Sequence, residues 1–263
     1  MDLGLKDRVA IVAASSQGLG KAVAFGLARE GVKLALCART EHTLVAAADE
    51  IHRATGVDVI TRKLDVTKHS QVKKFVAETL QEFGRVDICV ANAGGPPSKS
   101  FAETTIEDWE RATELNLMST VYLAKEALPI MQLQRWGRFI AITSITVKQP
   151  VEGLILSNSV RSGVSGLVKT LANEYGPFNV LVNSVCPGYT ATARLLELSR
   201  TLAEKEGVAP NVIEERWAAQ TPVGRVGTPE EFANVVVFLA SERASYVTGV
   251  SLAVDGGIVK GLY

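Results

Sequence analysis

Val9-Ala10-Ile11-Val12-Ala13-Ala14-Ser15-Ser16-Gln17-Gly18-Leu19-Gly20 joins an apolar run to a glycine-bearing turn, and an amphipathic stretch, Leu19–Glu30, follows at once. A strand that passes through such a turn into a helix is the first half of a βαβ unit. Gly18 and Gly20 let the backbone approach a pyrophosphate, and the helix N-terminus behind them offers free amide hydrogens and partial positive charge. A tight strand-to-helix turn that binds nothing would carry the same residues.

The alternation continues outward. Further short apolar runs are Lys33–Ala38, Val57–Leu64, Val86–Ala91, Arg138–Thr143, Asn179–Val185 and Val250–Val254, with the first run extending over Arg8–Ala13. Their continuous apolarity predicts strands covered on both faces. Between them lie helix-like stretches, Glu41–Thr55, Ser70–Phe83, Glu107–Met131, Asn158–Tyr175 and Glu230–Ala240. Gly31, Gly56, Gly84 and Gly176 each follow a helix-like stretch, where a left-handed cap is wanted. Repeated strand–helix units predict a single doubly wound α/β (Rossmann) domain over residues 1–263. Its seven-stranded sheet is mainly parallel, with helices on both faces. Thr190–Gly227 stands apart as a partly helical insertion.

Composition narrows the function classes. The chain of 263 residues is 47% hydrophobic, which excludes disorder. Its 28 Lys+Arg balance 28 Asp+Glu, so it presents no basic footprint for nucleic acid and no polybasic arm for membranes. No segment approaches the roughly 18 uninterrupted apolar residues of a membrane span. Met1–Arg8 lacks an apolar signal core, and a soluble, cytoplasmic protein is expected. Cys37, Cys89 and Cys186 are lone thiols without CxxC spacing. Neither a disulfide scaffold nor a metal site is expected.

Ligands of such sheets sit just beyond the C-terminal ends of the strands. The residues there resemble those of the short-chain dehydrogenase/reductase family over essentially the whole chain. Asp65-Val66 follows the third strand, Asn92-Ala93-Gly94 the fourth, Ser144 the fifth and Pro187-Gly188 the sixth, with Thr190 and Thr192 close behind. Asn116 lies within a helix-like stretch, and Asp255-Gly256-Gly257 closes the seventh strand. The resemblance implies a dinucleotide held by Ala14, Ser16, Gln17, Gly18, Leu19 and Gly20 in the turn. It adds Arg39, Asp65, Val66, Asn92, Ala93, Gly94, Arg161, Pro187, Gly188, Thr190 and Thr192. The family's glycine motif is incomplete here: Ala13 and Ala14 replace its Thr-Gly pair. An alanine permits the turn if its φ is negative.

The end of the second strand selects the cofactor. It reads Cys37-Ala38-Arg39, with no carboxylate to repel a 2′-phosphate and an Arg to welcome one, so NADP(H) is favoured over NAD(H). A surface Arg paired with Glu41 would read the same, and Gln17 stands where many NADP-preferring relatives carry a basic residue.

At the catalytic position the pattern breaks. The family uses Ser, Tyr and Lys, with the Asn holding water; the Lys charge lowers the phenol's pKa from about 10, and the phenol moves the proton. Ser144 and Asn116 match, but the YxxxK register falls on Ser157 and Arg161. Tyr122, Tyr175, Tyr189 and Tyr246 all lack a Lys four residues on. Three readings stay open. Another group, Tyr189 above all, or Glu152 or a water, supplies the proton to an atypical oxidoreductase acting on a carbonyl or alcohol. Alternatively, the protein binds a dinucleotide without catalysis, as a sensor or assembly subunit. In the third, the substrate brings its own acidic group, and the space beside Ser157 receives it. Tyr189 as a loop residue that only packs is the plain alternative for that side chain.

Thr190–Gly227 occupies the family's specificity region. Its leucines and Trp217 suit a lid over a partly hydrophobic small molecule, or a segment that packs only on its own domain. Gly94-Gly95-Pro96-Pro97-Ser98 makes a roomy rim and Val151–Leu156 an apolar wall. The resemblance also implies a homotetramer. Val121, Leu123, Val164, Leu167, Val168 and Leu171 offer apolar surface for it, or for a monomer's core.

Overall fold

The computed structural model describes residues 2–262; Met1, where the N-terminal leader reading begins, and Tyr263 lie outside the described residues. Seven strands form one sheet: β1 (Val9–Ala13), β2 (Lys33–Ala38), β3 (Val59–Lys63), β4 (Ile88–Ala91), β5 (Gly137–Ile142), β6 (Val180–Pro187) and β7 (Ser251–Val254). Their order is β3-β2-β1-β4-β5-β6-β7, and every pairing is parallel. The helices are α1 (Gly18–Arg29), α2 (Glu41–Thr55), α3 (His69–Phe83), α4 (Ile106–Thr113), α5 (Ser119–Gln134), α6 (Ile155–Tyr175), α7 (Ala193–Glu206), α8 (Pro210–Gln220) and α9 (Pro229–Ala240). None of the described helices is long and apolar enough to cross a membrane.

Burial on both faces explains the continuous apolar runs. Side chains alternate along a strand. Ala10 and Val12 of β1, Leu34 and Leu36 of β2, and Ile88 and Val90 of β4 enter the core layer beneath α1, α2 and α9. Ile11, Ala13, Ala35, Cys37, Cys89 and Ala91 point the other way, into the layer beneath α3, α5 and α6. A half-buried sheet would have shown polar residues at every second position. The three cysteines are all buried free thiols. Among the described residues no group of His, Cys, Asp or Glu could hold a metal ion.

Two expectations need correction, and a third, left open between subunit surface and core, falls to the core. The stretch Glu107–Met131 is not one helix, because a π-helical turn, Glu114–Met118, separates α4 from α5. Gly56 and Gly84 are left-handed caps, but Gly176 keeps right-handed values, and Asn179 three residues later takes the left-handed turn. Leu123, Val164 and Val168 lie inside the core layer beneath α5 and α6, so they are closed to a partner subunit. The segment 190–227 folds into α7 and α8, which pack on each other around Ala203, Ile213 and Trp217 as a small separate core.

The sheet order reverses between β1 and β4. Connections from these strands leave in opposite directions, which opens a crevice at their C-terminal ends.

Candidate active site

A cleft of about 440 Å³ lies in that crevice. Its floor is the turn from β1 to α1, where Ala14, Ser16, Gln17, Gly18 and Leu19 all line it. Gly18 has φ +58°. A Cβ on Gly20 would run into the Ala14 carbonyl and stand 2.9 Å from Asn92 Nδ2, so the close pass of helix and strand requires glycine. Gln17 precedes α1 without a side-chain cap, which leaves the first-turn amides free for an anion. Ala14 has φ +48°, not the negative value that spares an alanine strain. Its left-handed backbone is what the family's glycine would supply without cost. Asn92 braces the turn from β4, donating from Nδ2 to the Ala13 and Ala14 carbonyls at 3.3 and 3.4 Å.

One end of the cleft is set by β2 and β3. Arg39 and Asp65 line it with Val66. Arg39 is exposed and forms no ion pair among the described residues, with Glu41 or any other carboxylate. Asp65 accepts hydrogen bonds from the Thr67 amide and hydroxyl at 3.0 and 2.9 Å, which fixes the turn into α3.

The other end is set by β5, α6 and the segment after β6. Ser144 and Ser157 line it, together with Ala93, Gly94, Arg161, Pro187 and Thr192. Ser144 Oγ accepts from the Thr146 amide at 3.2 Å, which leaves its own proton to donate. Ser157 Oγ and Thr146 Oγ1 are 3.0 Å apart, and both residues are buried. The sequence does not single out Thr146: its amide meets Ser144 Oγ in a local turn that any residue there could make, and only the fold brings its hydroxyl to Ser157.

Arg161 is 7% exposed, and its guanidinium turns onto the main chain. Nη1 donates to the Ile142 and Thr143 carbonyls at 3.1 and 3.0 Å, and Nη2 to the Gly94 carbonyl at 3.4 Å. Desolvation pulls its pKa down to about 10. Asn116, placed by the π-helical turn, donates from Nδ2 to the same Gly94 carbonyl at 2.8 Å. Its Oδ1 is buried with no partner among the described residues.

The remaining candidates stand outside the cleft. Gly188 packs so tightly on β7's exit that a Cβ would lie 2.7 Å from Asp255 Cα. Thr190 is buried and bridges to Gly227. Tyr189 stacks on Trp217 with ring centroids 5.1 Å apart, and its hydroxyl reaches Gln220 Oε1 at 3.5 Å. It lines a neighbouring cavity of about 590 Å³ with Glu152 rather than the cleft of Ser144 and Ser157, and burial raises its pKa. Both the position and the shift are unhelpful to a proton donor for that cleft.

The sequence pattern of the family described as Enoyl-(Acyl carrier protein) reductase matches residues 13–259. The 3-oxoacyl-(acyl-carrier-protein) reductase FabG of Aquifex aeolicus is 34% identical over 258 residues, covering 98% of this chain and 100% of that protein. A short-chain dehydrogenase/reductase of Armillaria gallica is 34% identical over 260 residues, covering 96% of each. The L-sorbose reductase of Gluconobacter frateurii, solved with NADPH and L-sorbose, matches with a TM-score of 0.95 and 34% identity, covering 100% of both chains.

Proposed function

Because the chain belongs to the short-chain dehydrogenase/reductase family, we propose that it is an oxidoreductase using NADP(H) on a small carbonyl or alcohol. On this reading Ser157 and Arg161 stand where relatives carry Tyr and Lys. The observation that carries the proposal is a single cleft that runs from Arg39 to Ser144 and Ser157. The residues fit a dinucleotide phosphate: the Gly20 contact admits no side chain, the α1 amides are uncapped and Arg39 lacks a carboxylate partner. Arg39 supplies planar donors for the 2′-phosphate, and the first turn of α1 receives the pyrophosphate.

NADPH, when bound, supplies the hydride. Ser144 Oγ, engaged as an acceptor by the Thr146 amide, donates its proton in a hydrogen bond to the substrate oxygen. With Thr146 Oγ1 3.0 Å away as the donor to it, Ser157 Oγ would turn its own proton to the same oxygen. An aliphatic hydroxyl is a weaker acid than a phenol, so this site would run without the general acid that contributes typically about 10²–10⁴-fold, and the oxygen of the product alcohol would take its proton from solvent water. Arg161 acts as a brace that fixes the ends of β4 and β5, and Asn116 Oδ1 holds a water behind Gly94. The helices α7 and α8 form the lid of the substrate side. Assembly as a homotetramer belongs to the same reading, with Tyr246 and Leu252 exposed near β7.

Calorimetric titration with NADPH and with NADH tests the cofactor half. A panel of ketoses, L-sorbose included, and 3-oxoacyl thioesters tests the rest. Preference for NADPH with turnover of a panel member is expected; binding of neither nucleotide contradicts the proposal. The second reading, a dinucleotide-binding protein without catalysis, draws on Arg161, whose guanidinium is spent on main-chain carbonyls. Tight NADPH binding with no turnover in the panel would favour it.

A further inference from the structure

Arg194, in the first turn of α7, reaches across the cleft. Nη1 donates to the Gly95 carbonyl at 2.9 Å and Nη2 to the Pro96 carbonyl at 3.0 Å. Gly95 is shaped for this contact, because a Cβ there would stand 2.7 Å from Nη2. The guanidinium therefore rests on two neutral acceptors. Glu197, one turn on, lies close enough to act on its charge but forms no ion pair with it among the described residues. On the other side of the Gly94–Gly95 peptide, Arg161 donates to the Gly94 carbonyl.

Two guanidiniums thus hold three successive carbonyls, Gly94, Gly95 and Pro96, at the reactive end of the cleft. The lining holds a single carboxylate, Asp65, at the far end beside Arg39 and engaged by Thr67. Burial pulls Arg161 below the usual arginine range, with the charge of Arg194 adding to the effect; Arg194 is itself exposed to solvent, and only part of its guanidinium is desolvated against the cleft wall. Positive charge concentrated at one end of a cleft whose only lining carboxylate lies at the other end attracts an anion from outside the chain. Carbonyls hold a guanidinium less strongly than an oxyanion does, so they are acceptors that such a ligand can displace.

We propose that Arg194 is the seat for an anionic group of a ligand bound at the reactive end. The group is a carboxylate of the substrate or the pyrophosphate of the dinucleotide. The proposal deepens the functional reading above, on which its substrate arm rests. Anchored there, Arg194 would tie the lid helix α7 to the ligand rather than to the loop after β4.

The test compares Arg194→Met, which removes charge and donors, with Arg194→Gln, which removes the charge but keeps a shorter amide donor. Affinities are measured by calorimetry for NADPH, for inorganic pyrophosphate on the protein alone, and for malonate on the protein saturated with NADP⁺. Thermal melts confirm that each variant is folded. Both variants are expected to lose about tenfold or more in affinity for at least one probe. Weakened NADPH and pyrophosphate with unchanged malonate would assign the seat to the cofactor; weakened malonate would assign it to the substrate. If NADPH fails to bind the natural protein but pyrophosphate binds through Arg194, the dinucleotide reading fails and the seat stands. Unchanged affinities in Arg194→Met, full affinity in Arg194→Gln, or no binding of any probe to the natural protein would overturn the proposal.

Discussion

On the proposed reading Ser157 carries a hydroxyl at the place of the family's phenol, and its partner in the structure is Thr146 rather than a cation. Restoring the pair should therefore raise the rate. Ser157→Tyr combined with Arg161→Lys is expected to increase kcat/KM by about 10²-fold or more on a substrate the natural protein turns over slowly. It should also introduce a phenol-like inflection in the pH–rate profile that the natural protein lacks. Steady-state kinetics across pH 6–10 checks both outcomes. On the same reading Arg39 would carry the cofactor preference, and Arg39→Ala should then cost NADPH about tenfold or more while leaving NADH little changed, read by titration. Ala14 is strained at φ +48°. Ala14→Gly should raise stability by about 0.5–1 kcal/mol, the left-handed penalty of about 1–2 kcal/mol less the entropy that glycine loses. A higher melting temperature without a change in fold is the expected sign. Gly18, Gly20 and Arg39 were legible as sequence because each acts through its own backbone or charge. The Thr146–Ser157 pair joins residues across a loop, and Arg194 reads as one more charge on an amphipathic helix. Their partners exist only once the strand ends converge.

At the level of elements, the strands were readable because both faces of the sheet are covered. The break between α4 and α5 was not, since the local pattern stays helical throughout and the π-helical turn answers to packing around Asn116. Gly176 fails as a cap because the chain continues into a short 3₁₀ turn before Asn179 reverses it. The start of α9 offers a pH test. Arg225 first, and then the Thr228 amide, hold the Glu231 carboxyl down to about 2 from its ordinary 4.5. A carboxyl depressed in the folded state stabilises that state above its unfolded pKa. The contribution fades as the pH falls from about 4.5 toward about 2. Glu231→Gln should lower the melting temperature near neutrality, and the gap to the natural protein should close over that acid range in thermal melts.

For the molecule as a whole, stability and chemistry sit at opposite ends of the sheet. At the N-terminal ends of β1, β4 and β5, the fully buried Asp87 side chain accepts from Arg8 at 3.2 Å, from Arg85 at 2.6 and 2.7 Å, and from the Val9 amide at 2.9 Å. Trp136 lies between the Arg8 and Arg138 guanidiniums, 3.8 and 4.2 Å from its ring centre. Asp87→Ala takes a carboxylate from Arg8 and Arg85, both of which still reach Glu242 or solvent, and leaves the Val9 amide without its acceptor, so it should cost about 1–3 kcal/mol in urea unfolding. NADPH affinity per folded molecule should be unchanged.

Hydride transfer in the cleft between Arg39 and Ser144 can be followed through the hydrogen itself. NADPH deuterated at the transferring position is incubated with the protein and each carbonyl of the panel, and the product alcohols are examined by mass spectrometry. Deuterium is expected at the former carbonyl carbon of at least one product, with the label falling sharply in Ser144→Ala. Protein saturated with NADPH that delivers no label to any carbonyl would contradict hydride transfer there.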